Sequence, residues 1–157
     1  MKGKKTSLHE RERGMTLVVK KICQFIAPTI FLFGIYITIH GHLSPGGGFT
    51  GGVIMASAFI LQILSDGSIL DKLRQEKWRL ELTESLAIFT FLVLAVLGLL
   101  IAATAVFFGN FLPAGTLGEL ISGGIIPIGN VIIGIEVCAA ISSIFVALLI
   151  FKDEESE

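Results

Sequence analysis

Four long apolar runs, separated by short polar stretches, set the pattern of this chain. They span about residues 22–39, 45–64, 86–108 and 128–151, and a single acid, Glu136, interrupts them. Each run is about as long as the roughly 20 residues that a helix needs to cross the hydrocarbon core of a bilayer. A buried soluble core would instead show charged faces every few residues. The pattern therefore predicts an all-α membrane protein, with four transmembrane helices in one domain over residues 15–151.

Composition and charge add the orientation of these helices. Of the 157 residues 53% are hydrophobic and 16% are charged, whereas about 25% of a typical soluble domain is charged. Seven of the 12 Lys and Arg residues precede the first run, four lie in the middle loop, and Lys152 follows the last run. Because loops rich in Lys and Arg stay in the cytoplasm, we expect both termini and the middle loop to be cytoplasmic, in a plasma-membrane protein. Residues 1–14 then form a basic cytoplasmic arm and residues 152–157 an acidic tail.

The middle loop has its own apolar spacing. Ile69, Leu70, Leu73 and Leu80 recur at roughly helical intervals among charges, with Trp78 as an interfacial anchor. This pattern predicts an amphipathic helix that either lies on the inner membrane surface or docks on a cytoplasmic partner.

A glycine-rich run over residues 41–52, Gly-His-Leu-Ser-Pro-Gly-Gly-Gly-Phe-Thr-Gly-Gly, connects the first two apolar runs. Ser44 and Pro45 indicate a helix start there, because Ser caps free N–H groups and Pro tolerates the first helical position. Gly48, Gly52 and Ala56 then recur every four residues, a spacing that drives close helix contact in membranes. We expect this face to be a docking surface of a subunit that needs partners. A phosphate-binding loop is excluded because no Gly-Lys-Ser/Thr ending is present.

The last apolar run carries the intramembrane polar groups. Asn130 and Ser142 lie on a stripe of four-residue steps, and Glu136 and Ser143 lie on a neighbouring one. Glu136 follows Ile128 by about 12 Å of helix, at ~1.5 Å per residue, and so lies well inside the bilayer. A carboxylate there costs at least a few kcal/mol and usually faces a partner or a water-filled cavity. Two interpretations stay open, a role in an ion or proton path, or a protonated or hydrogen-bonded group at a subunit interface.

Two histidines, His40 and His42, lie near the expected outer interface. Two imidazoles alone leave a zinc site short of ligands, so we predict no metal site and no cofactor. Hydrogen bonds to backbone are the commoner role. Titration beside an ion path is the alternative, which places His40 among the candidate path residues.

The glycine-rich run, continued by Ala-Ser-Ala-Phe-Ile-Leu at 56–61, resembles the B subunit of the multisubunit Na+/H+ antiporter, the Mrp or Mnh family. Beyond Glu84 the resemblance holds in outline. The same module is shared by archaeal membrane-bound hydrogenases and related ion-pumping complexes. Residue by residue, the family motif falls on a set of eight positions: His42, Pro45, Gly46, Gly47, Gly48, Phe49, Gly51 and Gly52.

The resemblance implies a small non-catalytic subunit in the lipid bilayer, close to a path for Na+ and H+. Its partners would be other membrane subunits of an antiporter or of a hydrogenase-type complex, with no nucleic acid among them. Two alternatives differ in class. The same subunit could belong to a redox-driven pump, or the chain could form a homo-oligomeric pore alone.

Overall fold

Four long helices make up the part of this protein that the structure describes. The computed structural model describes residues 16–43, 45–66, 69, 77–102, 106–116, 118–119 and 122–155, with residues 153–155 as backbone. The helices are α1 (Leu17–Ile39), α2 (Gly47–Ser65), α3 (Lys77–Ile101) and α4 (Ile126–Glu155), and this part of the chain contains no strand. Each helix is long and apolar enough to cross a membrane, which confirms the predicted all-α membrane fold. The basic arm, residues 1–14, lies outside the described residues.

The start of α2 differs from its prediction. The helix starts at Gly47, and its N-cap is Gly46, which has no side chain to cap the first free N–H groups. Gly46 and Gly47 have φ angles of +133° and +65°. Glycine adopts this left-handed region with little steric penalty, so the chain turns at these two residues as the helix begins. The predicted start at Pro45 is therefore two residues too early, and Ser44 lies outside the described residues.

Helix α3 begins earlier than its apolar run. It starts at Lys77, so Trp78 and Leu80, assigned above to an amphipathic loop helix, belong to the spanning helix itself. The rest of that predicted amphipathic segment, except Ile69, falls outside the described residues. Because the first two turns carry charged residues, the hydropathy pattern did not indicate this helix start.

The end of α3 also corrects the prediction, since the helix stops at Ile101 and not near residue 108. The Phe108 backbone N–H donates to the carbonyl of Ala95 at 3.3 Å, and the Phe108 ring lies 5.1 Å from that of Phe91. Residues 106–109 thus fold back onto α3. Hydropathy does not separate a continuing helix from an apolar segment that returns along it.

The helices contact one another in the order α1–α2–α4–α3, with a smaller contact between α1 and α4. Among the described residues the backbones of α2 and α3 do not lie side by side, and a cleft is bordered by both helices. An ion pair of 2.7 Å between Lys20 and Asp66 joins the start of α1 to the end of α2. We call this the basic end of the bundle, and the opposite end, with residues 40–47, the glycine-turn end.

The glycine face of α2 packs on α4 without intervening side chains. A Cβ on Gly48 would fall on the backbone carbonyl of Asn130. A Cβ on Gly52 would lie 2.8 Å from both the Gly134 carbonyl oxygen and the Val137 Cβ. Contacts this short leave no room for a methyl group, so α2 and α4 approach backbone to backbone.

The other edge of the same face packs on α1. A Cβ on Gly51 would overlap the Thr38 hydroxyl, and one on Gly34 would lie 2.6 Å from Met55 Cγ. The face that we expected to dock on a neighbouring subunit is therefore covered by the chain's own α1 and α4. The four-residue spacing correctly identified a face of small residues, but it did not show which helices pack on that face.

Replacing Gly52 by Ala should destabilise the bundle, because the new methyl would overlap α4 backbone. Overpacking of this kind costs about 1–3 kcal/mol. Thermal unfolding in detergent micelles, followed by size-exclusion profiles, measures the effect. Gly129→Ala is the matched control on α4, where a Cβ would meet Phe91 at an ordinary 3.7 Å. Equal unfolding temperatures for the two variants would contradict the packing described here.

Candidate functional site

Asn130 lies at the glycine-turn end, in the second turn of α4, against the turn that precedes α2. A Cβ on Gly41 would come within 2.9 Å of its side-chain nitrogen, and one on Gly47 within 3.5 Å of its side-chain oxygen. The Asn130 amide therefore occupies a window bordered by these two glycines. Its Nδ2 is buried and has no hydrogen-bond partner. An unsatisfied buried donor costs about 1–3 kcal/mol, so this nitrogen marks a place where an acceptor would be held.

His42 lies in the same turn and faces the loop before α4. Its Nε2 is 3.4 Å from the backbone carbonyl of Glu119, and its Nδ1 is buried without a partner. His40 is placed differently. Its Nδ1 donates to the Tyr36 carbonyl at 2.9 Å, and its ring lies 4.1 Å from that of Tyr36. The two histidines thus make separate contacts, one to another loop and one to their own helix.

Thr38 is a central residue that the sequence pattern did not single out. Its side chain is 4% exposed, and its hydroxyl donates to the Gly34 carbonyl at 2.9 Å. A Cβ on Gly134 of α4 would lie 2.8 Å from its methyl group. Thr38 therefore lies where α1, α2 and α4 meet. The four-residue spacing of Gly34 and Thr38 is the signal that could have identified it.

The loop before α4 is held by Asn110. Its side-chain oxygen accepts hydrogen bonds from the Leu112 N–H at 3.2 Å and the Ile125 N–H at 3.3 Å. The second bond ties the loop to the start of α4. Asn110 thereby fixes the position of the loop that His42 faces.

Glu136 lies about a third of the way along α4 and is half-buried. Gly129, Glu136 and Ser143 recur every seven residues and so share one face of the helix. That face turns towards α3, since a Cβ on Gly129 would lie 3.7 Å from the Phe91 ring. Ser143 is half-buried as well. The carboxylate and this hydroxyl are the two polar groups that the stripe offers.

The candidate path residues do not form one line within the chain. Asn130 and Ser142 each lie six residues from Glu136. Six residues turn a helix by about 240°, so both point well away from the Glu136 face. Asn130 faces α2 and Ser142 is buried. A path that used all three groups would need polar groups from other chains to join them.

The family motif divides between the inside and the outside of the bundle. Gly48, Gly51 and Gly52 are buried, and Ala56 is fully buried beside Met55 and Cys138. Pro45 and Gly46 are exposed, as is Phe49, with 62% of its side-chain surface accessible. The glycines therefore build the fold, whereas Pro45 and Phe49 face outward at the glycine-turn end.

Comparison with known proteins places the motif in a family. Residues 18–143 match the model of the domain related to the MnhB subunit of Na+/H+ antiporters. An uncharacterized protein of Methanocaldococcus jannaschii is 33% identical over 132 residues, which are 82% of this chain and 50% of that protein. The antiporter subunit mnhB2 of Staphylococcus epidermidis is 43% identical over 49 residues, which are 31% of this chain and 35% of that protein.

A solved structure agrees with the family model. A chain of the membrane-bound sulfane sulfur reductase, an archaeal respiratory membrane complex, matches with a TM-score of 0.70 and 33% identity. The match covers 89% of this chain and 60% of that one, so this chain spans about half the length of its longer relatives. Since the family model covers most of the chain and both ends of the glycine motif, the protein belongs to the family of domains related to the MnhB subunit of Na+/H+ antiporters.

Proposed function

We propose that this chain is a non-catalytic integral subunit of a multisubunit cation/proton antiporter module. The observation that carries the proposal is the family's glycine motif, which here builds the contact of α1, α2 and α4 around Gly48 and Gly52. A subunit that spans the membrane four times and carries one mid-helix acid has too few groups to exchange Na+ for H+ alone. Its proposed role is assembly, with Glu136 contributing to a cation path completed by other chains.

The solved structure favours a second kind of complex to which this subunit could belong. The similar chain belongs to an archaeal respiratory membrane complex, so the same subunit in a redox-driven ion pump is the alternative function. In that setting the redox chemistry would belong to other subunits. The role of this chain would be the same in both hosts, and the partners would differ.

Purification of the tagged chain from its native membranes should distinguish the two hosts. We expect other integral membrane subunits in the mass spectrum of the complex. Hydrophilic iron–sulfur subunits in the same complex would favour the redox-driven pump. A Gly52→Leu variant is the control, because its α2–α4 contact cannot form and it should capture no partner. Recovery of the wild-type chain as a homo-oligomer without other subunits would overturn both hypotheses.

We also propose that the glycine-turn end faces the outside of the cell and the basic end the cytoplasm, as the distribution of Lys and Arg favours. Leu43 and Trp78 are exposed residues of these two ends, 43% and 57% accessible. In intact cells, Leu43→Cys should react with a membrane-impermeant maleimide, and Trp78→Cys should react after permeabilisation. The native Cys23 and Cys138 are buried, so the unsubstituted chain gives the background. The reverse labelling pattern would refute this orientation.

Replacing Glu136 by Gln should lower sodium-dependent proton exchange by about tenfold or more while the complex still assembles, since the change removes an intramembrane charge worth a few kcal/mol. Exchange is measured in inverted vesicles containing equal amounts of complex. Glu81→Gln is the matched control, because Glu81 is exposed and pairs weakly with Lys77 at 3.4 Å. Unchanged exchange in assembled Glu136→Gln complex would mean that the carboxyl group serves packing.

A further inference from the structure

Helix α3 has one covered face, and an acid lies within it. Between residues 80 and 98 the covered residues recur at alternating steps of four and three, whereas almost all the others are exposed: Leu80, Glu84, Ala87, Phe91, Leu94 and Gly98. Such spacing marks a single face of a helix. Among the described helices α3 packs only on α4, so this face, with Glu84, turns towards α4.

Glu84 and Glu136 lie at about the same depth on the two facing helices. A Cβ on Gly129 would lie 3.7 Å from the Phe91 ring, and the cleft brings the first turn of α3 beside later turns of α4. The two helices therefore run antiparallel. Glu84 precedes Phe91 by seven residues and Glu136 follows Gly129 by seven. Seven residues are nearly two turns, so both acids lie about 10 Å from the Phe91–Gly129 contact, towards the first turn of α3.

Both acids lie on the side of the α3–α4 contact that faces away from the cleft. Thr83 and Ile135 line the cleft. Glu84 and Glu136 follow them directly, and one residue turns a helix by about 100°. Because α3 and α4 run antiparallel, these turns carry both acids to the same side of the contact, where each is half-buried. We call this side, with Glu84 and Glu136, the acidic flank.

Neither carboxylate of the acidic flank has an ion pair or a hydrogen bond to another described residue. Lys77, in the first turn of α3, pairs with Glu81 at 3.4 Å. Lys152, the basic residue of α4, lies 16 residues beyond Glu136, which is about 24 Å of helix. An ionised group inside a membrane is costly and usually pairs with an opposite charge. The described residues of this chain therefore leave a requirement for a cation unmet.

The position of the acidic flank decides what kind of cation reaches it. The flank opens between two membrane-spanning helices, so its free side faces lipid, which holds no dissolved metal ions. Ala140, Ser143 and Ala147 border Glu136 on α4, and all three are half-buried. Small residues of this kind let another helix approach closely. A helix of a second membrane subunit therefore fits the flank and can carry a cation to it.

Lysine suits the acidic flank better than arginine. The planar guanidinium of arginine matches a single carboxylate through two parallel hydrogen bonds, whereas the lysine ammonium has three donors around one point charge. Two carboxylates on separate helices therefore correspond to one ammonium between them.

We propose that the acidic flank docks a transmembrane helix of another subunit, and that a lysine of that helix pairs with Glu84 and Glu136. This contact rests on the proposed function, since it exists only in a multisubunit complex. Glu84 thereby joins Glu136 as a charged residue of the interface, and one lysine compensates both.

A hydrophobic carbodiimide tests the contact in the assembled complex, because it joins a carboxylate to an amine that touches it. We expect mass spectrometry of the digested complex to identify an amide bond between Glu84 or Glu136 and a lysine in an apolar segment of another chain. Glu81, exposed on the same helix, is the matched control and should give no link to that lysine. A wild-type chain recovered without other subunits would contradict the proposed function itself. A complete complex without the link would overturn the lysine contact alone.

The double variant Glu84→Gln/Glu136→Gln tests the role of the charges. It should lower recovery of the partner subunit by about tenfold or more, as expected when a desolvated charge loses its counter-charge. Each single variant retains one carboxylate and should assemble, as should the control Glu81→Gln. The isolated double variant should unfold in detergent at a temperature no lower than wild type, since the chain itself gives these charges no partner. Assembly of the double variant at the wild-type level overturns the proposal, and so does a lower unfolding temperature of the isolated chain.

Discussion

The direct contact of helix backbones around Gly48 and Gly52 is the interaction on which the rest of this structure depends. Within a bilayer, apolar side chains gain little by leaving lipid for one another, so helices associate through close van der Waals contact. The bare face of α2 permits such contact on two sides, with α4 through Gly134 and with α1 through Thr38. The positions of the turn, of His42 and of Asn130 all follow from it.

This close contact also explains why polar groups are left unsatisfied beside it. Asn130 enters the window between Gly41 and Gly47 because α4 lies so near the turn, and its amide nitrogen is buried there without an acceptor. His42 has a buried nitrogen in the same state. Two buried polar atoms without hydrogen-bond partners at one end of a membrane bundle are unfavourable for the isolated chain. They become understandable if a neighbouring subunit, or water held by it, supplies an acceptor for Asn130 and a donor for His42 in a complex.

The sequence predicted the four spanning helices because run length and absence of charge are sufficient evidence for them. It did not predict the end of α3, where Phe108 returns to Ala95, because hydropathy is the same for both paths. Four-residue spacing identified the face of α2 that carries small residues. Periodicity along one helix, however, does not show which other helix packs on that face. For the same reason the pattern placed Glu136 and Asn130 on different stripes of one helix, but it did not show that Glu136 faces α3 and that Asn130 faces α2. Contacts between distant segments had to come from the structure.

The order α1–α2–α4–α3 leaves α3 in a different position from the other helices. Among the described residues it packs against α4 and against its own returning segment, and not against α2. The glycine contact therefore stabilises three helices and does not reach the fourth. Among the helices that the structure describes, α3 therefore depends on its contact with α4, and Leu80 and Thr83 border an apolar cleft towards α1 and α2.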